Sequence, residues 1–248
     1  MSQKNDQENP LYNILINVIL PVLALSHLSK EEGKFWHIGP FNAMIVALLP
    51  PLLYGIYHFW KTKKANIFSI LGLVSVLLTG LLTIYLWNQD GTVKPNAGLL
   101  FGIKEASIPF MLGLAVILSR NSKTPLLQAF LYSDSLFNIA TIEKTVAEKN
   151  NQSAYQKLIT QCTWIFAGSF VISTILNLLL AMYFLGSLDH TAANAREIYN
   201  EKVAKITGWG FLVVGAPLLI ILFFTFLHLT RGLTRLTGMK QEDLLLPR

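Results

Sequence analysis

The chain has 248 residues, 52% hydrophobic and only 14% charged, with a mean hydropathy of +0.47. An ordinary soluble domain carries about a quarter charged residues. This composition excludes a soluble globular domain, a disordered chain and a disulfide-stapled miniprotein. The formal charge of +6 comes from 20 Lys+Arg against 14 Asp+Glu. It reads as a topology signal rather than a nucleic-acid footprint, because the basic residues lie in loops between apolar runs. The expected fold is all-α, a polytopic membrane protein.

In chain order, the first ten residues, MSQKNDQENP, form a polar tail and do not read as a cleavable signal. A helix needs about 20 apolar residues to cross the hydrocarbon core. Six stretches meet this, at about 11–28, 40–60, 65–87, 97–119, 161–186 and 207–230. Between the fourth and fifth, residues 125–146 place Leu126, Leu127, Phe130, Leu131, Phe137 and Ile142 at mainly three- and four-residue spacings. That pattern predicts one amphipathic helix on the cytoplasmic interface, ended by Asn150-Asn151-Gln152. The polar stretch from Leu188 to Lys205 predicts a short outer helix leading into the last span, and 231–248 a basic cytoplasmic tail.

Segments facing one side hold 13 basic residues and those facing the other hold 6, with Lys104 inside the fourth span. The bias predicts both termini in the cytoplasm. Lys61, Lys63 and Lys64 mark the cytoplasmic interface after the second span, and Arg231 and Arg235 after the last. Tyr57, Trp60, Trp87, Trp36 and Trp209 are placed to form aromatic belts.

Four features could carry chemistry. Lys104 and Glu105 lie about two turns inside the fourth span, where a charge costs roughly 2.5–3.5 kcal/mol at the helix centre and faces protein or water. Neighbouring residues diverge by about 100° on a helix, so a simple pair between them is not expected, and one of them needs a partner on another span. They read either as an ion-coupling or anion-binding site or as charges snorkelling to the interface. Pro21, Pro50, Pro51, Pro109 and Pro217 fall within spans, as broken helices round a substrate path or as ordinary kinks. The most suggestive cluster is Pro50-Pro51 with Tyr54, Gly55 and His58. Ser173, Thr174 and Asn177 share one face of the fifth span, with Gly168 near by, as a ligand site or as helix-packing groups. The five histidines show no metal-site spacing. His58 and His228 read as interface residues or proton relays. Cys162 stands alone, which removes a disulfide or a CxxC metal site. No enzyme motif is present, so no catalytic residue, cofactor or metal is expected.

From about Trp87 to the C-terminus the chain resembles the bacterial intracellular septation protein A family and its wider relatives. The resemblance rests on Lys104 before an apolar span and on Lys123-Thr124-Pro125-Leu126-Leu127. It continues through ILNLLLAMYFLG around Asn177, then Asn200 and the ending Arg231-Gly232-Leu233-Thr234-Arg235-Leu236-Thr237-Gly238. Inserts at Glu143–Tyr155 and Leu188–Asn200 depart from the compact members. The resemblance implies a multi-pass inner-membrane protein in cell-envelope maintenance. It would act with membrane lipids or with envelope or division proteins, and could form a homo-oligomer. The alternative is a small secondary transporter with Lys104, Glu105, Asn177, Pro50, Pro51, Tyr54 and His58 along its path. A membrane-embedded lipid-modifying enzyme is a third reading.

Overall fold

The computed structural model describes residues 12, 14–31, 33–62, 67–122 and 125–246. Lys63 and Lys64 lie outside the described residues, as do the side chains of His58 and Lys61. The described chain is helical: α1 (Leu15–Leu28), α2 (Gly39–Thr62), α3 (Ile67–Leu86), α4 (Ala97–Ser119), α5 (Leu126–Phe130), α6 (Ile139–Glu148), α7 (Gln152–Leu185), α8 (Ala195–Thr237) and α9 (Gln241–Leu244). Among the described residues, four helical segments, Gly39–Tyr57, Ala97–Ser119, Gln152–Leu185 and Ala195–Thr237, are long and apolar enough to cross a membrane. Two shorter apolar segments are Leu15–Leu28 and Val74–Leu86. The best window of α8 has a mean hydropathy of 2.6 and is only 6% buried. Phe223 and Phe224, 58% and 62% exposed, lie on it. Such an apolar exterior suits lipid rather than water.

Two helices outrun the expected spans. α7 has 34 residues and α8 has 43, or about 51 and 64 Å at about 1.5 Å per residue. The hydrocarbon core needs only about 30 Å. α7 starts nine residues before the predicted span, because Tyr155, Leu158 and Cys162 carry a buried apolar face through a stretch too polar to score on hydropathy. α8 joins the predicted outer helix to the predicted last span, with helical turns on both sides of Phe211–Gly215.

Wide π-turns open α1 at Leu15–Ile19 and interrupt α8 at Phe211–Gly215. Each ends two residues before a proline, Pro21 and Pro217. Proline has no N–H to return to the carbonyl four residues earlier and its ring crowds that carbonyl. The wider turn relieves the mismatch, as the Leu20 N–H bond to the Leu15 carbonyl shows. α2 and α4, by contrast, run through Pro50-Pro51 and Pro109.

The chain divides into two compact units. The first takes the residues up to Ala106 and Asn177–Leu212. In it α1 packs on α2 and on the start of α8, and α2 packs on α3. Gly98 and Gly102, four residues apart on α4, allow backbone to approach backbone. A Cβ on Gly98 would sit 2.9 Å from the Gly186 nitrogen, and one on Gly102 3.3 Å from the Leu178 carbonyl. This is the close packing that small residues at four-residue spacing permit in membranes. Gly168, expected in that role, has open space where its Cβ would be.

The second unit comprises Ser107–Leu176 and the chain from Val213 on. Its core joins Leu127, Tyr132, Phe137, Ile142, Val146, Phe166, Leu229, Leu233 and Leu244. The single interfacial helix expected over 125–146 is not formed. Leu131–Asn138 separates α5 from α6. The Ser133 carbonyl accepts from the Leu136 and Phe137 N–H groups, and the Asn138 side chain caps α6 by accepting from the Thr141 N–H. The turn and the cap start a new helix at Ile139 instead of extending α5. The apolar face predicted to lie on lipid fills the unit's own core instead. The break at Asn150 is where the sequence places it, with φ +56°.

The segment after Arg231 is not a free tail. α8 continues to Thr237 and stops at Gly238, φ +72°, whose N–H bonds the Thr234 carbonyl. Leu233 and Leu244 are fully buried. The Asn138 N–H bonds the Leu244 carbonyl at 2.9 Å and the Leu246 N–H bonds the Leu136 carbonyl at 3.0 Å.

Candidate functional site

The first unit carries a chain of polar contacts between its helices. Lys104, on α4, extends its ammonium to the Thr79 hydroxyl of α3 at 2.7 Å and to Glu105 Oε1 at 2.8 Å. Their side chains are 9% and 28% exposed. Thr79 is thus a partner on another helix, and its hydroxyl donates onward to the Ser75 carbonyl at 2.9 Å. The expectation that Lys104 and Glu105 do not pair is overturned. The four-carbon lysine stem is long enough to curl across the angle between adjacent helix positions. The Phe101 ring, 5.6 Å from the ammonium, adds a face that attracts a cation.

One turn along α3, Thr83 meets the Tyr199 hydroxyl at 3.3 Å. Tyr199 is fully buried, with the edges of Trp87 and Phe101 against it at centroid distances of 6.2 and 6.4 Å. Asn200 is the clasp of this end. Its amide donates to Ser29 Oγ at 3.1 Å and to the Pro40 carbonyl at 2.8 Å, tying α8 to the exit of α1 and the entry of α2. Arg196, a turn earlier, donates from its Nη2 to the Asn88 carbonyl. Its guanidinium carbon stands 5.4 Å from the Trp87 ring centre. Trp87 thus serves this contact rather than an outward belt, whereas Tyr57, Trp60, Trp36 and Trp209 are exposed as a belt requires.

Two turns of the connecting loops are pinned by aspartates. Hydrogen bonds from the Thr92 hydroxyl and N–H hold Asp90 below its ordinary carboxylate range, and Thr191 does the same for Asp189.

This unit holds a polar cavity and an apolar groove. The cavity, of about 540 Å³, is lined by Lys30, Glu31, Gly91, Asn194, Arg196 and Glu197, among others. The groove, of about 420 Å³, runs along α1 and α2, past Leu20, Leu23, Ala24, His27, Val46 and Pro50. Of the sequence candidates, Lys104 and Glu105 are brought together, and Pro50 lines the apolar groove beside His27. Pro51 is buried, while Tyr54 and Asn177 are half-buried. Thr174 turns its hydroxyl to the Phe170 carbonyl of its own helix. Among the described residues no group of three or more His, Cys, Asp or Glu is placed to hold a metal. His228 Nε2 is 3.5 Å from Gln161 Oε1. Arg231 and Arg235 lie on the last turns of α8.

Sequence reasoning missed Thr79, Thr83, Arg196 and Tyr199, and knew Asn200 only through the resemblance. A signal existed: Arg196, Tyr199, Asn200 and Val203 recur at the spacing of one helix face, inside a segment whose polarity argued for the surface. No family model matches the chain, and no curated protein or solved structure matches it either.

Proposed function

We propose that the chain is a multi-pass protein of the bacterial inner membrane, with six spans and both termini in the cytoplasm. It maintains the cell envelope by holding protein or lipid partners, as its resemblance to septation protein A implies, and not by covalent catalysis. The observation that supports this reading best is the Lys104–Glu105 pair at 2.8 Å, with Thr79 on the same ammonium at 2.7 Å. An ion-coupling carboxylate must exchange its partner during a cycle. Here the ammonium and carboxylate compensate each other and bind α4 to α3, which is a structural use of charge. Replacing a buried ion pair by apolar residues of similar volume is often neutral, so a holding protein tolerates the double exchange. Cells depleted of the protein should admit a normally excluded dye. Wild type and the Lys104→Met/Glu105→Leu double variant should restore exclusion equally. Restoration by wild type alone would contradict the reading.

That second outcome belongs to a small secondary transporter. Its specific support is the irregular backbone ahead of Pro21 and Pro217, of the kind that lines membrane cavities. Dye exclusion that is unchanged by depletion would remove the envelope role altogether.

A further inference from the structure

The polar cavity and the apolar groove share the α1–α2 pair. Leu28, the last residue of α1, lines the groove, and Lys30, two residues on, lines the cavity. On α2, Pro40 at the start of the helix lines the cavity, while Val46 and Pro50 line the groove. So the charged hollow is lined by residues at the ends of both helices, and the apolar groove by residues of their bodies. The groove covers α1 from Leu20 to Leu28, about 12 Å at 1.5 Å per residue.

The charges in the cavity come in both signs. Lys30 and Arg196 are cations, Glu31 and Glu197 are carboxylates, and among the described residues no ion pair joins any of them. Arg196 is held in place before any ligand arrives. Its Nη2 is committed to the Asn88 carbonyl and its plane to Trp87. Its Nε is buried and has no hydrogen-bond partner. That Nε is closed off from the cavity, so the guanidinium draws a phosphate or carboxylate by the charge it always carries. A cavity of about 540 Å³ is in the range of small-molecule sites, roughly 300–1,000 Å³.

We infer that this paired hollow binds a phospholipid whose headgroup joins a phosphate to a primary ammonium. Arg196 and Lys30 take the phosphate, Glu31 and Glu197 take the ammonium, and an acyl chain lies in the groove between α1 and α2. A headgroup bearing only a negative charge leaves the two carboxylates opposed to it. A trimethylated ammonium offers them no N–H donor. This inference rests on the membrane reading proposed above and names the lipid partner within it.

The test is native mass spectrometry of the purified full chain in detergent, titrated with phosphatidylethanolamine, phosphatidylglycerol or phosphatidylcholine of equal chain length. Phosphatidylethanolamine should bind about tenfold more tightly than either of the others, a margin of the size that charge-assisted hydrogen bonds give. Arg196→Gln should weaken all three lipids. Glu31→Gln/Glu197→Gln should erase the preference for phosphatidylethanolamine over phosphatidylglycerol while the protein keeps its melting temperature. Because Arg196 also braces Trp87, Lys30→Gln provides a loss of phosphate affinity that does not depend on that brace. Val46→Trp, which fills the groove, should weaken the lipid. Soluble phosphoethanolamine should not displace it at equal concentration. Equal affinity for the three lipids, or unchanged affinity in the Lys30 and Glu31/Glu197 variants, would overturn the site. Displacement by soluble phosphoethanolamine, or tight binding in Val46→Trp, would overturn the role of the groove. Loss of the lipid preference claim leaves the dye-exclusion result standing, and failure of dye exclusion leaves the binding result standing, so the two readings fail separately.

Discussion

In the first unit, polar side chains meet across helices within a largely apolar interior: an ammonium, a carboxylate, threonine and serine hydroxyls, an asparagine amide and a buried tyrosine. In the second, a continuous apolar and aromatic cluster runs from Val116 to Leu244. Within the cluster the Tyr155 hydroxyl donates to that of Tyr132 at 3.2 Å, and burial pushes the Tyr132 phenol above its ordinary value. Apolar burial is non-directional and roughly proportional to area, so it secures a fold without selecting a ligand. Buried polar groups are costly unless each finds its partner. In the second unit the buried hydroxyls of Thr163, Ser169, Thr225, Thr230 and Thr237 turn to carbonyls of their own helices. Thr83 and Asn200 of the first, by contrast, reach across to other helices. It is beside these cross-helix contacts, near a charged cavity, that binding should be sought.

The comparison breaks first at its apolar side. Phe137 is 1% exposed and stands against Tyr132 and Phe226. Phe137→Ala should cost about 3–5 kcal/mol, read as a fall in the denaturant midpoint of the detergent-solubilised protein. A cost below about 1 kcal/mol would mean that the cluster is not a packed core. Truncation after Gly238 removes the buried Leu244 and the bonds to Leu136 and Asn138, so it should destabilise the second unit by about 2–5 kcal/mol rather than merely release a partner. A smaller effect is expected at the α4 glycines. Gly98→Ala drives a Cβ to 2.9 Å from the Gly186 backbone and should cost about 1–3 kcal/mol, whereas Gly168→Ala meets open space and should leave the melting temperature unchanged or raised. Similar losses from both would show that helix propensity, not packing, decides.

The smallest effect concerns pH. Thr92 lowers the folded-state pKa of Asp90 below its unfolded value, so the turn's contribution is present above the unfolded pKa and is lost as pH falls through the folded one. Thr92→Val should move the Asp90 titration, followed by carboxyl NMR, up toward the ordinary value. An unmoved titration would show that Thr92 does not hold the carboxylate.

Much of this was legible in the chain. The fourth helix runs over the predicted 97–119, from Ala97 to Ser119, because a lipid-facing run is recognised by composition alone. The start of α7 and the inward face of α8 near Tyr199 escaped notice, because their burial is against protein and leaves mixed polarity in the sequence. The region 125–146 showed the right apolar positions and the wrong surroundings. Periodicity reveals that a face is buried, and it is silent on whether lipid or protein covers it. Lys104 and Glu105 were singled out by the cost of charge in a span, but their pairing depended on the reach of a side chain that spacing rules treat as rigid.

The central claim is that Lys104 and Glu105 compensate each other, and a double-mutant cycle in thermal unfolding tests it most directly. Lys104→Met and Glu105→Leu alone should each destabilise the protein by leaving a partner uncompensated, about 3 kcal/mol for the loss of Lys104. The double variant should recover most of that loss, giving a coupling energy of about 1–3 kcal/mol. Strictly additive losses would show that the two charges act independently and would contradict the account.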